Sequence, residues 1–154
     1  MRKGTLIYSV ILLLILVSLV AFSPAGAETI IGSAKFDPNN IDLSLPDPRV
    51  VKGTIRFESG ADESVKDINA STILLEGSLP VDTTYLIPGG LVGEFDGNGV
   101  VNILWGKITH IGTLPPNRKV YITITGKLKD TAGGATFSAE GYIKVEVPNS
   151  PPPP

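Results

Sequence analysis

Apolar and polar residues alternate most clearly in the last third of the chain. Within residues 120–128 the apolar positions are Val120, Ile122, Ile124 and Leu128, with Tyr121, Thr123, Thr125 and Lys127 between them. Within residues 137–147 they are Phe137, Ala139, Ile143, Val145 and Val147, opposed by Ser138, Glu140, Tyr142, Lys144 and Glu146. A period of two places one face of a strand in a core and the other in water. Lys129-Asp130-Thr131-Ala132-Gly133-Gly134 between them supplies turn glycines, so the pattern predicts a terminal β-hairpin. Shorter apolar segments predict strands over residues 30–36, 41–45, 50–58, 72–77 and 100–107. Residues 80–88 read as an extended connection. Val65 and Ile68, inside the polar and acidic stretch 62–70, are spaced for one helical turn.

Two end segments depart from this pattern. Arg2 and Lys3 precede an almost unbroken apolar run over residues 6–22, followed by Ala25-Gly26-Ala27. Basic start, apolar centre and small-residue cleavage site are the three parts of an export signal, here residues 1–27. Left uncleaved, the same segment would anchor the chain, which is then its one contact with a membrane. Residues 148–154 form a proline-rich tail with the stiffness of a polyproline II rod. Residues 28–147 remain as one domain, placed outside the cytoplasm as a secreted or cell-surface protein.

The 17 glycines and 13 prolines punctuate short strands, and no strand–helix alternation, G-x-G-x-x-G or P-loop occurs. The expected fold class is therefore all-β: an Ig-like or cohesin-like antiparallel sandwich of about seven to nine short strands. Lys and Arg number 13 against 15 Asp and Glu. Two of the bases belong to the export segment, so the domain is more acidic than the whole chain. That balance excludes the basic stripe a nucleic-acid surface needs. With no cysteine and one histidine, disulfides, thiolate metal sites, cysteine nucleophiles and two-imidazole sites are all excluded.

One motif carries candidate chemistry. Glu94, Asp96, Asn98 and Asn102 put side-chain oxygens at alternate positions around Asp96-Gly97-Asn98-Gly99. A glycine-bent loop lets such oxygens converge on calcium, a hard cation that takes six to eight of them. Trp105 stands where an EF-hand has its bidentate glutamate, so that helical motif is rejected. With only two anionic ligands, a calcium site here falls at the weak end, roughly 10⁻⁴–10⁻³ M. The competing reading is a glycine-rich turn without metal.

Several segments occur in one order: Phe36-Asp37-Pro38-Asn39, then Ser71-Thr72-Ile73-Leu74-Leu75-Glu76-Gly77-Ser78-Leu79-Pro80, the Asp96–Gly99 motif, Leu114-Pro115-Pro116-Asn117, and Ile124-Thr125-Gly126-Lys127-Leu128-Lys129-Asp130. This order resembles an uncharacterised Ig-like (cohesin-like) module of exported archaeal and bacterial proteins, whose shape is F-D-P…S-T-I-x-L-N-G…D-x-D-G-D-G-x-x-D…L-P-x-G…V-T-G-x-L-x-D-G-x-x-F. The resemblance spans about residues 34–146. It implies a calcium-type acidic loop, degenerate here because Glu94, Asn98 and Asn102 replace aspartates, and a stretch 106–113 that fits the pattern poorly. It implies a surface or secreted accessory module without catalysis.

Tyr121 and Tyr142 lie on the polar register of the predicted hairpin, where in-register pairing sets them across from each other. Two outward rings are a candidate stacking platform for a sugar or a partner; the bland alternative is a cross-strand contact. Trp105 is expected in the core or over the acidic motif. His110 reads as a surface residue in a loop. Glu58, Asp62, Glu63 and Asp67 lack the apolar surroundings that raise a catalytic carboxyl, and no serine has a G-x-S-x-G context. Asn69-Ala70-Ser71 is a glycosylation sequon. The expected function is an exported non-catalytic module for cell-surface structure or protein interaction, with calcium as its one candidate cofactor. The alternatives are a carbohydrate-binding module using Tyr121 and Tyr142, and, further off, a small secreted hydrolase.

Overall fold

The alternation in the last third becomes a regular antiparallel ladder. The structure, a computed structural model, describes residues 29–46, 48–57, 65–111, 116–129 and 134–147. The export segment, the proline tail, Glu58, Asp62, Glu63 and the turn residues 130–133 lie outside them. In chain order the strands are β1 (Thr29–Asp37), β2 (Asn40–Asp42), β3 (Val50–Phe57), β4 (Ile68–Leu75), β5 (Leu79–Pro80), β6 (Thr83–Ile87), β7 (Gly90–Asp96), β8 (Lys119–Leu128) and β9 (Thr136–Glu146). One α-helix, α1 (Gly97–Ile111), and a short 3-10 turn (Pro116–Arg118) join β7 to β8. The all-β expectation holds at this level.

β8 and β9 pair in the register set by their apolar faces, with Val120 opposite Ile143, Tyr121 opposite Tyr142 and Ile124 opposite Ala139. The strands join in one sheet of order β5-β4-β8-β9-β1-β3-β7-β6, with β2 beside β9. The sheet is mixed and not wholly antiparallel as expected, because β1 and β2 run parallel to β9 while the other pairs are antiparallel. β9 is thus bordered along its length, by β8 on one side and by β1 then β2 on the other. The chain crosses from β1 to β2 through a cis Asp37-Pro38 bond.

The sheet curls so that its two wings face each other. Gly53 on β3 and Ile124 on β8 are separated by two strands in the order. Yet a Cβ on Gly53 would sit 2.6 Å from Ile124 Cδ1. Phe36, Val51, Ile55, Ile73, Leu75, Phe95, Ile122, Phe137 and Val145 fill the enclosed space, all nearly inaccessible to water. Among the described residues no polar side chain is fully buried, so the core is held by apolar packing alone.

The segment 100–107 is a correction: it is helix, not strand. The buried apolar side chains of α1 are Val100, Val101, Leu104 and Ile108, the spacing of a helix face. The β-branched composition favours a strand, but the chain must cross the open side of the curl from β7 to β8. A helix packed on β3, β7 and β8 can bury four apolar side chains there, each worth about 1.5–3 kcal/mol. Tertiary burial overrides local propensity. His110 accordingly lies on the last turn of α1 and not in a loop, and Trp105 is partly buried against the core. Residues 80–88 are also more ordered than an extended connection, since β6 pairs with β7 and forms one sheet edge. β4 starts at Ile68, four residues before the expected position. The helical turn expected around Val65 and Ile68 is confined to Val65 and Lys66 among the described residues. No described helix is long and apolar enough to cross a membrane.

Candidate functional site

The outer face of the hairpin carries Lys119, Tyr121 and Thr123 on β8 and Lys144, Tyr142 and Glu140 on β9, paired rung by rung. The structure brings Tyr121 and Tyr142 together, with ring centroids 6.0 Å apart and planes at 62°. That edge-on contact is the favoured geometry for two quadrupoles. It is not a flat two-ring platform. Lys119 Nζ lies 4.2 Å from the Tyr142 centroid and covers one of its faces, a cation–π contact. Tyr121 is the freer ring, 54% exposed against 38% for Tyr142.

Tyr121 also borders a cleft of about 960 Å³ between the C-terminal half of α1, the β4–β5 turn and the start of β8. Glu76, Gly106, Lys107, His110, Asn117 and Lys119 supply its polar edge, and Ile111 is an exposed apolar wall. Glu76 organises it. Glu76 and Gly77 have φ of 50° and 67°, and Ser78 N donates to Leu75 O at 3.1 Å. Positive φ at both central positions is the sign pattern of a type I′ hairpin turn, which normally takes Asn-Gly. Glutamate accepts the same backbone but reaches further. Its Oε1 accepts the Thr123 backbone N–H at 2.7 Å, while Oε2 pairs with Lys107 Nζ at 2.8 Å. Asn117 and Arg118, at φ of 58° and 55°, are the other non-glycine residues with positive φ among those described. All three therefore lie at or beside this cleft, and such strained positions gather where a surface is used.

The acidic motif is assembled differently from the expected loop. Strand β7 ends at Asp96 and α1 begins at once. Asp96 Oδ2 accepts the Gly99 backbone N–H at 2.9 Å, the bond of a helix N-cap to its third residue. Gly97 is needed because a Cβ there would collide with the Pro48 carbonyl, while a Cβ on Gly99 would lie 2.6 Å from Leu79 Cδ1 and push that side chain aside. Asn98 and Asn102 are exposed on the helix. Glu94 sits on the outer sheet face, 3.1 Å from Lys52 Nζ, and accepts from the Thr83 hydroxyl at 2.9 Å. The 94–102 stretch is thus a strand end and a capped helix, which does not fit a glycine-bent cation loop. Among the described residues no group of three or more His, Cys, Asp or Glu is placed to hold a metal ion.

The Glu94 cluster has its own electrostatics. The Thr83 hydroxyl, followed by Lys52, holds the Glu94 carboxyl below its ordinary 4.5. Lys52 is held above its ordinary 10.5, chiefly by Glu94 and then by Tyr85, whose ring lies 5.9 Å from Nζ. The Lys52 and Glu94 side chains are both partly exposed to solvent, and the groups act as a surface network.

Sequence reasoning found the tyrosine pair but missed Glu76, Lys107, Asn117 and Lys119. The Glu76-Gly77 turn, standing where Asn-Gly is usual, was the one available signal. The cleft itself depends on the helix that strand propensity concealed. No protein-family model, no curated protein and no solved structure matches the chain.

Proposed function

We propose that this chain is an exported, non-catalytic β module for recognition at the cell surface, and that the outer face of the β8–β9 hairpin is its recognition surface. The observation that carries this reading is the in-register pairing of exposed Tyr121 and Tyr142 beside a cleft. Aromatic rings held by each other are pre-ordered, so they offer contact area at small entropic cost. The basic-apolar-small pattern of residues 1–27 supports export. The Gly53–Ile124 approach supports reading the curled sheet as the two facing layers of an Ig-like, cohesin-like sandwich. Glu76, the one carboxylate lining the cleft among the described residues, has both oxygens engaged. That favours recognition over general acid–base work.

Within this reading a carbohydrate-binding module is the second, narrower form. The edge-on geometry favours it by leaving the Tyr121 ring free to stack on a sugar. The test is retention of the full chain on isolated cell-envelope material. The wild type is retained and the variant carrying both Tyr121→Ala and Tyr142→Ala is released; equal retention of the two overturns the assignment of the surface.

A further inference from the structure

Gly106 occupies the interior of α1, where glycine weakens a helix by its backbone freedom. Packing does not require it, since a Cβ at this position meets nothing within 4 Å. Its φ is not positive, and its effect is to leave this part of the cleft lining open. The charges around that opening are uneven. Lys107 and Glu76 neutralise each other at 2.8 Å, which leaves Lys119, whose ammonium lies over the Tyr142 ring, as the lysine on the lining without a carboxylate partner among the described residues. Lys144 stands directly across from Lys119 on β9, and among the described residues neither lysine has a carboxylate within ion-pair distance. Like charges directly opposed on neighbouring strands disfavour the sheet, and an anion seated between them reverses the sign. The nearest acid on the same face is Glu140, opposite Thr123 on the far side of the tyrosine pair. The face is therefore positive at one end of Tyr121 and negative at the other.

Resting on the recognition reading above, we propose that this cleft is a subsite for an acidic saccharide, a uronate-bearing polymer. One pyranose ring stacks on Tyr121, its carboxylate faces Lys119 and Lys144, and His110 and Asn117 meet its hydroxyls. A ring with a carboxylate on one edge matches an aromatic face with cations at one end. A neutral sugar would leave the lysines unanswered, and a phosphate polymer would leave Tyr121 without a ring to cover. The cleft, about 960 Å³, is at the upper end of the range of ligand sites.

The test is titration of the full chain with polygalacturonate, with its fully methyl-esterified form and with inorganic polyphosphate. Polygalacturonate binds, the ester and polyphosphate bind at least about tenfold more weakly, and added salt weakens the complex. Tyr121→Ala and Lys119→Gln each lower affinity at least about tenfold, the scale of one charged hydrogen bond. Gly106→Leu fills the opening and lowers affinity similarly without lowering the melting midpoint, which separates blocked binding from misfolding. Equal binding of ester and acid, polyphosphate binding that survives Tyr121→Ala, or no polygalacturonate binding overturns the inference. Cell-envelope retention that depends on Tyr121 and Tyr142 but resists competition by polygalacturonate overturns it while sparing the recognition reading. Loss of both overturns both.

Discussion

Glu76 and Lys107 are 31 positions apart in the sequence, yet their side chains meet at 2.8 Å and tie the β4–β5 turn to the C-terminal half of α1. The same carboxylate accepts the Thr123 backbone N–H, so one residue joins turn, helix and β8. The two contacts are of unequal weight. Removing the acceptor leaves a part-buried N–H without its bond, which costs about 1–3 kcal/mol. The ion pair, with Lys107 about a third exposed, contributes about 0–1 kcal/mol. Glu76→Ala is thus expected to lower stability by about 1–3 kcal/mol and Lys107→Met by less than about 1. Denaturant unfolding checks both, and equal losses would contradict this ranking.

Asp96 caps α1, and this predicts a metal-independent effect. Asp96→Ala should cost about 1 kcal/mol, within the 0.5–2 range of lost N-caps, while Asp96→Ser retains most of the stability. The melting midpoint of the wild type should be the same in millimolar calcium and in chelator. A calcium-dependent rise that Asp96→Ala removes would restore a binding role to this motif.

Acid should weaken the fold through Glu94. Its carboxyl is depressed in the folded state, chiefly by the Thr83 hydroxyl and then by Lys52. The unfolded chain therefore takes up the proton first. The contribution is complete above pH 4.5 and is lost as pH falls through the lower folded value. Lys52 is raised, so its share is present below pH 10.5 and fades as pH rises through the higher folded value. Between the two limits neither group changes stability with pH. Asp42, depressed by its hydrogen bonds from Ser44, adds to the acid limb. Glu94→Gln should make that limb shallower without abolishing it, as read from midpoints measured across the acid range.

What the sequence disclosed and what it hid follow from how local each signal is. The β8–β9 pairing was legible because alternation over ten residues fixes which face each strand buries. Of the registers that bury both apolar faces, one sets Tyr121 opposite Tyr142, and that is the register found. The helix 97–111 was not legible, because Val100, Val101 and Ile103 favour a strand and only the space left by the curled sheet makes a helix the better burial. The cleft was lost with it, since its wall is the far end of that helix. Asp96-Gly97-Asn98-Gly99 was open to two readings for a related reason. An aspartate before glycines suits a helix cap as well as a cation loop, and the Asp96–Gly99 bond that shows the capping use forms only with the helix.

Two glycines should respond to alanine with opposite signs. Gly53 lies where the wings of the sheet press together, and an added methyl at 2.6 Å from Ile124 Cδ1 must displace core side chains. Overpacking of this kind costs about 1–3 kcal/mol. Gly106 has open space in front of its Cβ, so Gly106→Ala keeps every contact and removes the flexibility of a glycine inside a helix, a gain of about 0.8–1.0 kcal/mol. Thermal melting should place Gly53→Ala below the wild type and Gly106→Ala above it by a few degrees. A drop for Gly106→Ala would mean that α1 needs its glycine for backbone reasons, and the cleft would then be a by-product of helix geometry instead of a space the sequence keeps clear.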